Sequence, residues 1–223
     1  MTPEQDAYYG RPECSNSDLS FLNKYWESFQ INYDIEQVQN FGTLLDCMIT
    51  EPARVNYFKL TCAGIQHTAE EFAQAEAMKR SFFQDEFCRM IAEKSDMQKV
   101  TVNHAFRINH LGFDFTLPFR MKADFNAKRL LKMIADLKST NAATEKAFRA
   151  SVRDFQYHRQ AAVYMDMEEV DRFMILGVGK KAPYPIFKVP IVRGDELYTE
   201  GKELYQELGF KHFYLFESLK IAA

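Results

Sequence analysis

The chain has 223 residues, 47% of them apolar and 14% aromatic, with a formal net charge of −3. That much apolar material supports one compact domain, while the near-neutral balance and a sequence pI of about 6.0 exclude a global field for polyanions, so any nucleic-acid site must be a local cationic patch. Four widely spaced cysteines, Cys14, Cys47, Cys62 and Cys88, form no C-x-x-C pair, which argues against zinc or iron–sulfur sites and for reduced, buried thiols of a cytosolic protein.

The first residues are polar and acidic, and no apolar run reaches the roughly 18 residues a membrane span needs. The expectation is a soluble, cytoplasmic protein with no membrane partner. In "CSNSDLSFLNKYW", cap-type residues precede Leu19, Leu22 and Trp26 at helical spacing, so a short helix starts near Ser15 to Asp18. "FGTLLDCMITEP" reads as a second helix halted by Pro52, with Leu44, Leu45, Met48 and Ile49 as its apolar stripe and Asp46 outside it. From Ala69 to Lys94 the chain lacks Pro and Gly and is rich in strong helix formers, which predicts one long helix.

At Lys99 the pattern becomes strand-like. "KVTVNHAFRI", "FDFTLPFRMKADF" and "LLKMIADLK" are joined by the turn-like "NHLG" and "NAKR", predicting three consecutive antiparallel strands. Ser139, Thr140 and Asn141 are candidate N-caps for a helix running to about Met165. "RFMILGVGK" and "PIFKVPIV" then read as strands, and "GDELYTEGKELYQEL" as a closing amphipathic helix. Together these indicate an α/β (α+β) chain, a mainly helical 1–98 followed by a sheet-bearing 99–223.

Strand alternation places Arg120, Lys122 and Asp124 on one face, and Asp136 and Lys138 on another. The aspartates are twelve positions apart, a separation that one tight hairpin folds back on itself. Converging carboxylates repel unless a cation lies between them, and hard oxygen ligands suit Mg²⁺ or Mn²⁺. A lysine beside them can stabilise a phosphoryl centre. Taken alone, Asp-x-Lys is common: Glu200-Gly201-Lys202 also fits and reads as a solvated helix face. Downstream, Arg153, Tyr157, Gln160 and Tyr164 follow at i, i+4, i+7 and i+11, one helical face. That face is either a set of core aromatics with locally satisfied polar neighbours, or a wall that holds a scissile strand, with Arg153 on phosphate.

"KADF…IADLKST…YHRQAAVY" resembles the PD-(D/E)XK nuclease superfamily, in particular phage-type exonucleases similar to exonuclease VIII (RecE) and the broader RecB-like nucleases. The resemblance continues in "SNSDLSFL", in "GTLLDCMITEP" against the family's G-x-x-x-H-x-x-x-x-E-P helix, and in "KKAPYPIFKV", so it covers nearly the whole chain. It implies a core with a central mixed sheet flanked by helices. It further implies Asp124 and Asp136 as metal ligands, the Leu137 carbonyl as a third, Lys138 as the lysine that handles the attacking water or the transition state, and Gln160 and Tyr164 as supports for the site and the DNA. Arg120, Lys122, Arg153 and Tyr157 become candidate DNA contacts.

Two departures stand out. Ala123 replaces the proline before the first aspartate, and Asp46 stands where the family has a metal-binding histidine. Asp46 either ligates the metal, which a carboxylate does well for Mg²⁺ or Mn²⁺, or faces solvent. Among His67, His104, His110 and His158 as substitutes for the imidazole, His158 is nearest the motif, but lies about 100° around the helix from Tyr157 and is expected at the surface or one layer behind the site.

The function implied is a Mg²⁺- or Mn²⁺-dependent exonuclease acting on linear duplex DNA, without an iron–sulfur cluster since no cysteine follows Gln160. The resemblance implies a phage or prophage recombination setting, a ring-shaped homo-oligomer and a single-strand annealing protein as partner. The alternative is a nuclease-fold protein that binds DNA or another protein and has lost cleavage.

Overall fold

The computed structural model of the chain describes Tyr8 and residues 10–27 and 35–217. The opening strand β1 (Cys14–Ser15) runs directly into helix α1 (Asn16–Glu27). Ser15 and Asp18 start that helix reciprocally: the Ser15 N–H and Oγ donate to Asp18 Oδ2 at 2.8 and 2.7 Å, and the Asp18 N–H donates to Ser15 Oγ at 3.3 Å. Leu19 and Leu22 are buried as expected, whereas the side chain of Trp26 lies outside the described residues. Helix α2 (Ile35–Thr50) buries Leu44, Leu45, Met48 and Ile49, and ends in a 3-10 turn over Pro52–Arg54.

A small antiparallel sheet follows, β2 (Val55–Asn56), β3 (Thr61–Cys62) and β4 (Ile65–Gln66). Two-residue strands carry too little alternation to be read from sequence. The predicted long helix is in fact two, α3 (Ala69–Gln84) and α4 (Glu86–Lys94). Asp85 divides them: its N–H still bonds Ser81 O, but its carboxylate accepts from the Cys88 N–H as an N-cap and pairs with Lys188 at 2.6 Å. A side chain that caps a new turn this well wins over uniform helix propensity.

Strands β5 (Asp96–His110) and β6 (Phe113–Asn126) form a long hairpin closed by Leu111 and Gly112, both at positive φ (51° and 83°). That two-residue geometry matches the sheet's twist. After a short helix α5 (Lys128–Leu131), strand β7 (Met133–Thr140) pairs antiparallel to β6 at Phe125↔Ala135 and Asn126↔Ile134 and then diverges. The gap is taken by β1, which pairs parallel to β6 through Cys14↔Phe119 and Ser15↔Arg120.

The Ser139–Asn141 caps are not used, because β7 extends through Thr140; Thr144 caps helix α6 (Glu145–Asp154) instead. Gln156, left-handed at φ 54°, separates α6 from α7 (Tyr157–Glu168). Strand β8 (Arg172–Gly179) runs parallel to β7, and β9 (Ile186–Val192) returns antiparallel to β8. Helix α8 (Glu196–His212), capped by Asp195, and a π-helical turn (Phe213–Glu217) follow. The sheet is mixed and flanked by helices. One apolar cluster joins α1, α6, α7 and α8 to it and a second joins α2, α3 and α4, so β7 and β8 are covered on both faces.

Helices α7 and α8 touch closely at Gly201, where an added Cβ would stand 2.2 Å from the His158 carbonyl oxygen. Gly201 is therefore a buried contact, not part of a solvated face, although Glu200 and Lys202 on either side reach Arg153 and Asp166. His158 is likewise buried rather than at the surface, with Nδ1 against Val152 O at 3.1 Å. Gly201→Ala should destabilise the fold by about 1–3 kcal/mol through overpacking of backbone on backbone; urea denaturation giving an unchanged midpoint would contradict this crossing.

Candidate active site

The divergence of β6 and β7 creates the site. Extending their paired register one step sets Asp124 opposite Asp136. There the strands no longer bond backbone to backbone; instead the Leu137 N–H donates to Asp124 Oδ2 at 2.8 Å. An extended residue presents its N–H and C=O to the same strand edge, so the Leu137 carbonyl faces this gap too.

Asp136 is buried, with 4% of its surface exposed. Its Oδ1 accepts from Gln160 Nε2 at 2.7 Å, and its Oδ2 forms an ion pair with Lys138 Nζ at 2.6 Å while accepting no further hydrogen bond. Lys138 also donates to Gln160 Oε1 at 3.2 Å and lies 4.9 Å over the Tyr157 ring. One glutamine thus clamps both ends of the Asp-x-Lys pair. Burial works against the Lys138 charge, but Asp136 foremost, then Tyr157 and Asp124, hold it above the ordinary lysine range.

Asp46 enters from α2. Its Oδ1 accepts from Thr50 Oγ1 at 3.2 Å, and both its oxygens lie near Gln98 Nε2, at 3.1 and 3.0 Å. Burial, reinforced by Asp136 and Glu51 and opposed by the Thr50 hydrogen bond, pushes Asp46 up to about 6. Asp124 is raised well above the carboxylate range by burial and then by Asp46 and Asp136. Asp46 therefore stands among the other acids, half-buried at the edge of a cavity.

Asp46 and Asp124 open onto a cavity of about 360 Å³, whose lining also includes Tyr8, Ser17, Gln98, Lys122 and Tyr164. Tyr164 is buried, its phenol pushed well up by burial, with Tyr8 next among the causes and the Lys122 backbone against it. Lys122 pairs with Glu51 at 3.4 Å, and Glu51 with Arg54 at 2.8 Å, forming a charged rim.

The structure thus brings together Asp46, Lys122, Asp124, Asp136, Leu137, Lys138, Tyr157, Gln160 and Tyr164. Two expected members lie elsewhere. Arg120 donates to Arg11 O at 2.8 Å, pairs with Asp18 at 3.4 Å, stacks over Tyr8 and lines a separate cavity. Arg153 belongs to α6, not to the helix of Tyr157, and is held by Glu196 and Glu200 of α8, each at 2.9 Å. The single face of Arg153, Tyr157, Gln160 and Tyr164 fails because Gln156 breaks the helix between the first two.

Among the described residues no three His, Cys, Asp or Glu side chains stand as a ready-made metal cluster. The carboxylates are instead engaged by Lys138, Gln160, Gln98 and the Leu137 N–H. Their chemistry still fits a divalent cation: oxygen donors from Asp46 and Asp124 flank one atom position, occupied by Gln98 Nε2, and Asp136 Oδ2 has unused acceptor capacity. Gln98, Thr50 and Tyr8 were not among the sequence candidates. Glu51 had a signal in its E-P dipeptide, whereas "DMQKV" offers none for Gln98.

A buried set of acids at a sheet's fork, with a lysine two residues from one of them, defines a PD-(D/E)XK-like nuclease core. The chain belongs to the family described as a PDDEXK-like domain of unknown function (DUF3799), which it matches over residues 11–208. A putative exonuclease from Eubacterium rectale shares the fold at a TM-score of 0.56, with 16% identity over 92% of this chain and 74% of that one. A phage-related exonuclease from Haemophilus somnus 129PT is 15% identical over 78% of this chain and 83% of its own, with a TM-score of 0.39. An alkaline exonuclease from Laribacter hongkongensis is 15% identical over 95% of each chain, with a TM-score of 0.35. No curated protein matches the chain significantly. Among the described residues no helix is long and apolar enough to cross a membrane.

The raised Asp46 makes a prediction for the metal-free protein. A carboxyl at about 6 when folded and about 3.9 when unfolded leaves the folded state holding more protons in between. Its contribution therefore falls as pH rises from about 4 through 6. In EDTA, Asp46→Asn should melt higher than the parent at pH 8, with the gain shrinking toward pH 4. A variant melting at or below the parent at pH 8 would show that burial and the neighbouring acids do not raise Asp46 as described.

Proposed function

We propose that this protein is a Mg²⁺- or Mn²⁺-dependent deoxyribonuclease that hydrolyses phosphodiester bonds of duplex DNA from an end. The observation that carries the reading is the juxtaposition of Asp124 and Asp136 across the fork with Lys138 clamped beside them. The exonuclease name of the Eubacterium rectale protein supports it, as does the motif resemblance to exonuclease VIII-type and RecB-like enzymes.

Asp46, Asp124 and Asp136, with the Leu137 carbonyl, would hold the cation, which when bound supplies a Lewis acid for the phosphoryl oxygen and an acidified water. Lys138, already an ammonium, is suited to stabilise negative charge on the phosphoryl oxygens rather than to accept a proton. Gln160 keeps Asp136 and Lys138 oriented, so their separation does not depend on the substrate. Lys122 at the rim and Tyr157 beside Lys138 are the contacts this reading assigns to the DNA backbone. DNA as substrate goes with an intracellular, cytoplasmic site of action, in a phage or prophage recombination setting. A ring-shaped oligomer and an annealing partner belong to the same reading, and size-exclusion chromatography with light scattering tests the ring.

A second reading, a DNA-binding protein without cleavage, draws on Asp46 in the histidine position and on carboxylates engaged by hydrogen-bond donors. Uniformly labelled linear and closed circular duplexes incubated with Mg²⁺ separate the two. Loss of label from the linear form alone is expected, while Lys138→Ala and Asp136→Asn should each lose about 10²–10³-fold in rate. Full activity in either folded variant would overturn the assignment, and an inert parent that still binds duplex would favour the second reading.

A further inference from the structure

Gln98 holds its carboxamide where acceptors outnumber what it can satisfy. Its Nε2 lies 2.8 Å from Thr50 Oγ1, 3.1 and 3.0 Å from the two oxygens of Asp46, and 3.4 Å from Asp124 Oδ1. An amide nitrogen has two hydrogens, so this position is richer in oxygen donors than a neutral group requires. A divalent cation would use all of them.

The backbone is bent to achieve this placement. Met97↔Phe125 and Lys99↔Ala123 are paired on either side, which sets Gln98 across from Asp124. Gln98 itself is left-handed at φ 51°, a conformation that non-glycine residues avoid. Residues held this way cluster at functional sites.

Charge explains why an amide would suit this position. With Lys122 paired to Glu51, Asp46, Asp124 and Asp136 against the ammonium of Lys138 leave two negative charges, which a single divalent cation cancels. A fourth carboxylate would overshoot, whereas an amide oxygen adds a ligand without adding charge. Turning a carboxamide by half a revolution exchanges its nitrogen and oxygen at nearly the same point, and that torsion is broad and roughly two-fold.

We propose that Gln98 is a metal-site residue: its Nε2 keeps the cation's place between Asp46 and Asp124 in the metal-free protein, and its Oε1 ligates the divalent ion once the side chain draws back by about 2 Å, a metal–oxygen distance, and the carboxamide turns. This rests on the nuclease reading above, so the test must be able to fail separately from it.

The full chain is freed of metal and titrated with Mn²⁺ by calorimetry. In parallel, Eu³⁺ luminescence lifetimes in H₂O and D₂O count the waters on the bound ion. Gln98→Leu should bind Mn²⁺ about tenfold more weakly and carry about one more water on Eu³⁺. Gln98→Glu should keep the parental water count and bind more tightly, while melting lower than the parent in EDTA. If Gln98→Leu does not fold, Gln98→Asn, an amide one methylene too short, should show the same extra water. A parental water count together with equal or tighter Mn²⁺ binding in Gln98→Leu or Gln98→Asn overturns the ligand role. Asp124→Asn separates the layers. If it abolishes Mn²⁺ binding while the Gln98 variants stay parental, only the Gln98 proposal fails; if the parent binds no Mn²⁺, or Asp124→Asn binds as the parent does, both fail.

Discussion

The parting of β6 from β7 is the constraint on which the rest of this site depends. Two backbone pairs, Phe125↔Ala135 and Asn126↔Ile134, hold the strands together, and at the next step a carboxylate replaces a carbonyl as the acceptor for the Leu137 N–H. That substitution keeps a buried donor satisfied while leaving room between the strands. β1 closes the gap farther along β6, so the sheet stays continuous around the opening. Asp124 is thereby both a structural acceptor and a member of the site.

The cost of the arrangement is electrostatic. Three carboxylates share a largely buried region, and burial with mutual repulsion raises Asp46 and Asp124 above their ordinary ranges. Lys138 compensates Asp136, and Gln160 fixes the pair by accepting from one and donating to the other. A fold that concentrates like charge in this way gives up stability at the place where it gains chemistry. The close crossing of α7 and α8 at Gly201 and the two apolar clusters on either side of the sheet supply the rigid frame that keeps α7, and with it Gln160 and Tyr164, against β7.

Much of this was legible in the residues. The alternation in "KADF" and "IADLK" was enough to set Asp124 against Asp136, because strand periodicity is a local property, although the link between the strands is the short helix α5 and not the tight hairpin expected. The helix of Gln160 and Tyr164 was legible for the same reason. Helix breaks were not: Asp85 and Gln156 end helices through a cap and a left-handed residue that propensity averages over a window conceal. The break at Gln156 removed Arg153 from the face it was expected to share, and Glu196 and Glu200, far along the chain, gave it other partners. Arg120 was on the expected strand, yet the packing of α1 decided that it meets Asp18 and Arg11.

By itself, then, the sequence determined the long strands and the helical stretches, though not where α3 and α6 break, and which carboxylates and lysine lie together on β6 and β7, since each of these follows from spacing along a short stretch; the superfamily resemblance rests on the ordered set of motifs along nearly the whole chain. Only the tertiary structure decided that Asp46 turns toward Asp124 and that Gln98 reaches between them. Those contacts join residues distant in the chain, the Gln98–Asp46 hydrogen bonds spanning 52 positions and the Gln98–Asp124 hydrogen bond 26, through a left-handed backbone step that no local pattern specifies. What brings them together is the packing of α2 against the sheet, a product of the whole apolar core and not of any one segment.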